Sequence, residues 1–343
     1  NLLNINRDDT FFGLNIIIRP LFFLGVCLFV HNVFPNSQYA LLIGFMSSFA
    51  ISSIYSSYYI QRNTGDGSFD KNIIKKFISY GFPLTGLFFF DYILTSSDRI
   101  IIGYFFDSKM VGIYGANYDF IKQIILFLVI VQGLIIYPEI NRTYEKGNQI
   151  ELGNLMSLNF NLLIVIILPL SIFVAFFNEF ITSIFIGDSF NYPSSLLIPS
   201  FSFMFFFWGL KIYHFDYVFF LREKTKVSMK ILFFGSLFNM CLNLVLIPRY
   251  ELMGAAFSTL LAYLICLVLS VYKGRSLMRL NINKPIILKT LSFVSISIII
   301  TFIIESMNLH IGYQILTFIL IYSLLTLFFN SVTLKNFLKR FVF

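Results

Sequence analysis

Ten runs of about twenty apolar residues follow one another along this chain, each close to the length a helix needs to cross a bilayer's hydrocarbon. They lie at 14–34, 38–60, 80–105, 112–137, 156–177, 196–221, 227–247, 253–272, 286–304 and 311–330. Pro35-Asn36, Gly65-Asp66-Gly67, Gly147-Asn148, Gly187-Asp188 and the stretch 281–285 mark turns between them. No polar stretch is long enough for a separate soluble domain. Hydrocarbon offers backbone N–H and C=O groups no partners, so a spanning segment must satisfy its own, as a helix does. Strands of a membrane barrel would alternate apolar and polar residues, and these runs do not. Charge agrees, since 12% of residues are Asp, Glu, Lys or Arg against about 25% in soluble domains. The expected fold is all-α, a polytopic helical membrane protein with ten transmembrane spans.

The net charge of +8 is spread unevenly. Arg62, Lys71, Lys75 and Lys76 follow the second run, Arg142 and Lys146 the fourth, and Arg222, Lys224, Lys226 and Lys230 the sixth. Lys273, Arg275, Arg279, Lys284 and Lys289 follow the eighth; Lys335, Lys339 and Arg340 follow the tenth. The loops after odd-numbered runs carry Lys109 and Arg249, with Arg99 near the end of its run. Positive residues stay cytoplasmic. Both ends are therefore expected in the cytoplasm, with the odd-numbered loops outside. The longest outward loop, 178–195, is too short for a large extracytoplasmic catalytic domain.

An ionisable side chain at membrane depth costs about 3 kcal/mol on insertion scales, so it faces protein or a wet cavity. The candidates are Arg19, Asp91, Asp98, Arg99, Asp119, Lys122, Lys211, His214 and Asp216. On a helix Asp91, Thr95 and Asp98 share one face, and Asp119, Lys122 and Gln123 share another. Arg99 lies about 100° off the first face, turned partly toward a neighbouring helix. Lys211 and His214 form an i, i+3 pair with Asp216 turned aside. Three spans thus carry polar stripes able to converge on one cavity. Interfacial readings stand beside this one. Asp98 and Arg99 can sit at the outer end of their span, Asp119 and Lys122 can pair within their helix, and Lys211 and Asp216 can snorkel to the cytoplasmic side. Arg19, before Pro20, fits either a cavity or an interface. His31 and His310, near outer ends, are expected to be inert.

Gly44, Ser48, Ser52 and Ser56 recur every four residues, a stripe for close helix packing or a polar lumen face. Pro83, Pro138, Pro169 and Pro199 can kink or end spans. Cys27, Cys241 and Cys266 lie far apart in apolar runs, which points to neither a disulfide framework nor a metal site. The chain carries no phosphate-binding loop, dinucleotide fingerprint, HExxH or Gly-x-Ser-x-Gly. No enzymatic activity, cofactor or nucleic-acid partner is expected.

Two stretches resemble a known family. Residues 80–120 contain Tyr80-Gly81-Phe82-Pro83, Ser96-Ser97-Asp98-Arg99, Ile102-Gly103 and Val111-Gly112-Ile113-Tyr114. Residues 243–264 contain Asn243, Leu246-Ile247-Pro248, Tyr250 and Gly254-Ala255-Ala256. Both resemble the polysaccharide-transport branch (Wzx-type O-antigen flippases) of the multidrug/oligosaccharidyl-lipid/polysaccharide exporter superfamily. Glu251 stands where that family usually has Gly, so the turn there is built differently.

The resemblance implies a two-lobed exporter fold and places the span near Tyr80 as the first of the second lobe. Residues 1–76 would then end the first lobe, whose first four helices would precede this sequence. Residues 77–280 would form the second lobe, and 281–343 two extra spans and a cytoplasmic tail. The implied function is translocation of a polyprenyl-diphosphate-linked oligosaccharide across the bacterial cytoplasmic membrane, for O-antigen or exopolysaccharide, by alternating access. Arg19, Arg99, Lys122 and Lys211 are the cations at depth that would meet the diphosphate. Asp91 and Asp98 would couple transport to H+ or Na+, or hold those cations. Membrane lipids and polysaccharide polymerase machinery are the implied partners. Two rivals remain. A multidrug or organic-cation exporter of the same superfamily wants a net acidic, aromatic cavity, whereas the embedded acids and bases here roughly balance. A polysaccharide polymerase wants a large Arg-bearing outward loop, and the lone mid-helix His214 is weak support for an acyltransferase.

Overall fold

A computed structural model describes residues 9–34, 39–63, 70–187, 190, 192, 196–278, 283–307 and 310–329. The turns expected at Pro35-Asn36, Gly65-Asp66-Gly67, Asp188 and 281–282, and the tail 330–343, lie outside the described residues. Long helices dominate, and among the described residues seven are long and apolar enough to cross a membrane. The protein is an all-α polytopic membrane protein. Its chain divides into two compact units, Asn1–Lys75 and Lys76–Phe343.

In the first unit α1 (Asp9–Val33) folds back on α2 (Ala40–Asn63). The small-residue stripe packs there. Ser48 is buried and donates to the Phe45 carbonyl at 2.8 Å, while a Cβ on Gly44 would run into Cys27 Sγ of α1. Absence of a side chain at Gly44 is what lets the two helices approach.

The second unit holds most of α3 (Lys71–Phe105), then α4 (Ser108–Glu145), α5 (Gln149–Phe176), the short α6 (Asn178–Phe185) and α7 (Leu197–Leu210). A π-helical segment, Lys211–Phe215, continues α7 into the short α8 (Tyr217–Leu221). The sixth apolar run is therefore not one α-helix. After it come α9 (Thr225–Arg275), α10 (Lys284–Ser306) and α11 (Ile311–Phe329). Asp107, Asn148 and Asn283 start α4, α5 and α10 by accepting from the backbone N–H of Met110, Glu151 and Ile286, satisfying donors a helix start leaves free. The core forms where α4, α5, α7 and α9 meet, through residues such as Ile125, Leu163, Phe201 and Leu232.

The seventh and eighth apolar runs are the two arms of α9, which reverses at Glu251. Ser258 bonds to Asn243 across the arms, and Cys266 Sγ lies close against Gly235, where a Cβ would collide with it. Glu251 has φ 51° and ψ −131°, angles of the first central position of a type II′ turn. Glycine dominates that position because a Cβ is crowded there. Tyr192, in the loop before α7, donates to the Glu251 carboxylate at 3.0 Å. Partial burial and that bond raise the pKa of Tyr192 to about 12.

The turn yields a prediction. A strained residue costs about 1–3 kcal/mol, whereas an exposed hydrogen bond contributes about 0.5–1.5 kcal/mol. Glu251→Gly removes both, and added chain entropy takes back about 0.5–1 kcal/mol, for a net gain of about 0.3 kcal/mol at the middle of these ranges and about 2 kcal/mol at most. Glu251→Ala keeps the Cβ and loses the bond. Melting temperatures in detergent should rank Gly above the parent and the parent above Ala. An Ala variant as stable as the Gly variant would remove strain from the explanation.

Candidate functional site

Asp98 is wholly buried, 0% exposed. Its carboxylate accepts from Tyr114 Oη at 2.6 Å, Asn243 Nδ2 at 2.6 Å and Thr259 Oγ1 at 2.7 Å. Asn239 Nδ2 donates to Thr259 Oγ1, and Asn239 Oδ1 accepts from Ser97 and Asn243. Ser258 donates to Asn243 Oδ1. One knot thereby ties α3, α4 and both arms of α9. A buried carboxylate with three donors is the arrangement low-dielectric surroundings require. With no exposed surface, Asp98 lines no open cavity face in this structure. The face it shares with Asp91 divides, one acid enclosed and the other half-open.

Asp91 is half-buried and accepts from Trp208 Nε1 of α7 at 3.3 Å. Arg99 crosses to α4, where its Nη2 lies 2.6 Å from Asp119 Oδ1. The Arg99 side chain is 33% exposed and that of Asp119 60%. Both Arg99 and Lys122 approach the Tyr118 ring, at 5.4 and 6.0 Å from its centroid. Asp119 thus pairs between helices with Arg99. The Arg99 guanidinium lies against α4 beside Gly115, one turn before Asp119, and pairs there in place of Lys122.

At the π segment a second expectation is corrected. On an α-helix Lys211 and Asp216 would stand about 140° apart. Here Asp216 N bonds to Lys211 O, five residues back, at 2.7 Å, which brings residues five apart over one another. Lys211 Nζ lies 2.5 Å from Asp216 Oδ2, and both side chains are buried. Ser228 Oγ of α9 donates to the same oxygen at 2.7 Å. Neither residue snorkels. His214 is buried too, with Nδ1 3.4 Å from Asn159 Nδ2. Asn159 also donates to the Tyr213 carbonyl at 2.8 Å and accepts from Gln132.

Arg19 belongs to the first unit, where its guanidinium lies 3.7 Å from the centre of the Phe49 ring. A crevice of about 530 Å³ between α4, α5 and α11 is lined by apolar residues including Leu128, Pro169, Phe173 and Phe318. None of the charged candidates lines it. Among the described residues no cluster of three or more His, Cys, Asp or Glu could hold a metal. Sequence reasoning passed over Asn239, Thr259 and Trp208. A signal existed for the first two: Asn239 and Asn243 stand i, i+4 in an apolar run, and Thr259 faces them once the arms fold back.

With this geometry in place, likeness to known proteins becomes informative. Over 208 residues the chain is 26% identical to an uncharacterized membrane protein of Methanocaldococcus jannaschii, covering 60% of this chain and 40% of that protein. The chain thus spans less than half the length of that relative. A family model described as polysaccharide biosynthesis protein matches residues 10–194, which include Asp91, Asp98, Arg99, Tyr114 and Asp119. Matched over more than half its length, the chain belongs to the polysaccharide biosynthesis protein family.

Proposed function

We propose that this chain forms part of a flippase carrying a polyprenyl-diphosphate-linked oligosaccharide between the leaflets of a cytoplasmic membrane by alternating access. The observation carrying this reading is the half-open Arg99–Asp119 pair, with Lys122 beside the same Tyr118 ring, in a membrane-spanning unit. A diphosphate leaves its hydration shell only where cations replace it. Arg99 presents a planar fork that fits phosphate oxygens two at a time. Asp119 holds the fork in place and yields it when the anion arrives. Asp91 is the acid assigned to H+ or Na+ coupling, and Asp98 is assigned to bracing.

Arg99→Gln should reach normal levels in the membrane while surface polymer falls about tenfold to a hundredfold, the scale of losing charged hydrogen bonds. Arg99→Lys should fall between. Normal polymer from Arg99→Gln would overturn the assignment. Trp208 against Asp91 favours one second reading, an exporter of organic cations. That reading requires Asp91→Asn to abolish export of a quaternary ammonium dye while polymer stays normal.

Orientation is tested separately. With both chain ends in the cytoplasm, Asp66→Cys should resist an impermeant thiol reagent in intact cells and Asp188→Cys should react. Labelling at both positions would reverse or break the proposed topology.

A further inference from the structure

We infer that α8 is a jointed link: during transport the π turn at Lys211–Phe215 passes its extra residue along the chain, α8 turns against α7, and Lys211 exchanges Asp216 for Asp91. The inference rests on the flippase reading and names the moving part inside the second unit.

The five residues of α8 lie between two costly backbone features. At their start the π turn takes up one residue more than an α turn, and such single-turn insertions recur at functional sites. At their end Glu223 takes φ 54°, a left-handed conformation uncommon for a residue other than glycine. The chain folds back at once there, with Lys224 N on Phe219 O at 2.7 Å and Glu223 N on Phe220 O at 3.1 Å. Conformations of this kind persist only where the surroundings fix them, and they gather at switch regions.

The surroundings that fix α8 fall on few residues. Asp216 holds Lys211 and accepts from Ser228 of α9. The Tyr217 ring lies 3.8 Å from that of Tyr137, within 10° of parallel, and its Oη donates to Asn141 at 2.9 Å. The Tyr213 carbonyl accepts from Tyr137 Oη and Asn159 Nδ2. A shift of one residue turns α8 by about 100° and undoes the contacts of Asp216 and Tyr217 together. Two arrangements of one packed element, with little between them, are what a switch requires.

A buried ammonium with no partner would forbid the shift. Lys211 has a second carboxylate to turn to. Trp208 stands three residues before it on the same face of α7 and donates to Asp91. Asp216 stands two turns before the exposed Glu223 and Lys224, within reach of water from that end. Nor is the present pair fully satisfied, since Asp216 Oδ1 and His214 Nε2 are buried with no hydrogen-bond partner among the described residues. The link therefore joins α9, through Ser228, to the acid assigned to coupling, through Lys211.

Deleting Ile212 tests the joint. The deletion takes out the extra residue, so Lys211 and Asp216 become an i, i+4 pair on an unbroken α-helix and keep their contact. The link is then fixed in its present state. The deletion variant should reach normal levels in the membrane and melt at or above the parent in nanodiscs. Hydrogen exchange of the 211–221 amides should slow about tenfold, because opening through the joint is closed off. Surface polymer should fall about tenfold or more, as when a conformational step is blocked. Lys211→Met with Asp216→Asn removes the charge pair at similar volume, and exchange of the same amides should quicken about tenfold, the scale of one charged hydrogen bond. A deletion variant melting well below the parent would show that packing needs the extra residue, and overturns the joint. Normal polymer from it, or exchange unchanged in both variants, overturns it as well. The exchange arm needs no cargo, so its outcome is separate from that of the flippase reading, which Arg99→Gln tests.

Discussion

Asp98→Ala is expected to melt well below the parent protein. Removing the carboxylate strips an acceptor from Tyr114, Asn243 and Thr259 at once. Each stranded donor would cost about 1–3 kcal/mol, but two have fallbacks. Asn243 Nδ2 still reaches Asn239 Oδ1 at 3.0 Å, and Thr259 Oγ1 still reaches the Ala255 carbonyl at 3.0 Å. Tyr114, fully buried, loses the Asp98 carboxylate with no such fallback. The expected loss is therefore about 3 kcal/mol, a large share of a total of about 5–15 kcal/mol. Asp98→Asn keeps one acceptor oxygen and should lose less. Adding Tyr114→Phe should reduce the penalty of Asp98→Ala, because no hydroxyl is then left stranded. Thermal melts of the three variants check this, and a melt of Asp98→Ala matching the parent would refute the knot as a brace.

Gly254→Ala should be comparably damaging for a steric reason. A Cβ there would lie 2.5 Å from the Leu246 carbonyl carbon and 2.8 Å from Ile247 N. Both obstacles are main chain and cannot rotate away. The arms of α9 must part, which stretches the bonds that Asn243 makes to Ser258 and Asp98. Overpacking costs about 1–3 kcal/mol and sometimes more; the upper end applies here. Gly86→Ala is the control, since its Cβ would meet Met229 Sδ at 2.6 Å, the far part of a flexible side chain. Its melting temperature should drop far less. Equal drops would mean that the close approach at Gly254 is not what the reversal depends on.

The helices were legible because hydrocarbon leaves a chain few choices, and apolar runs announce themselves. A turn at Glu251 was legible too, but not that Glu takes there the positive φ a glycine usually supplies. Two things were hidden. The partners of Asp98 lie up to 161 residues away, and helical periodicity speaks only of neighbours within a turn or two. The π segment was hidden as well, since one residue of altered register leaves the apolar pattern of 196–221 intact while moving Asp216 onto Lys211. Spacing left several pairings of Asp119 and Lys211 open, and the structure pairs them with Arg99 and Asp216.

The wiring of Asp98 has a consequence for biogenesis. Tyr114 follows it by 16 residues, but Asn243 and Thr259 follow by 145 and 161. At about 5–20 residues per second, the ribosome delivers Thr259 roughly 8–30 s after Asp98. Over that interval a carboxylate at membrane depth has Tyr114 and little else from the knot. Nascent chains stalled before Asn243 should therefore hold α3 loosely and lean on the insertion machinery, and release should come as the returning arm of α9 threads into place.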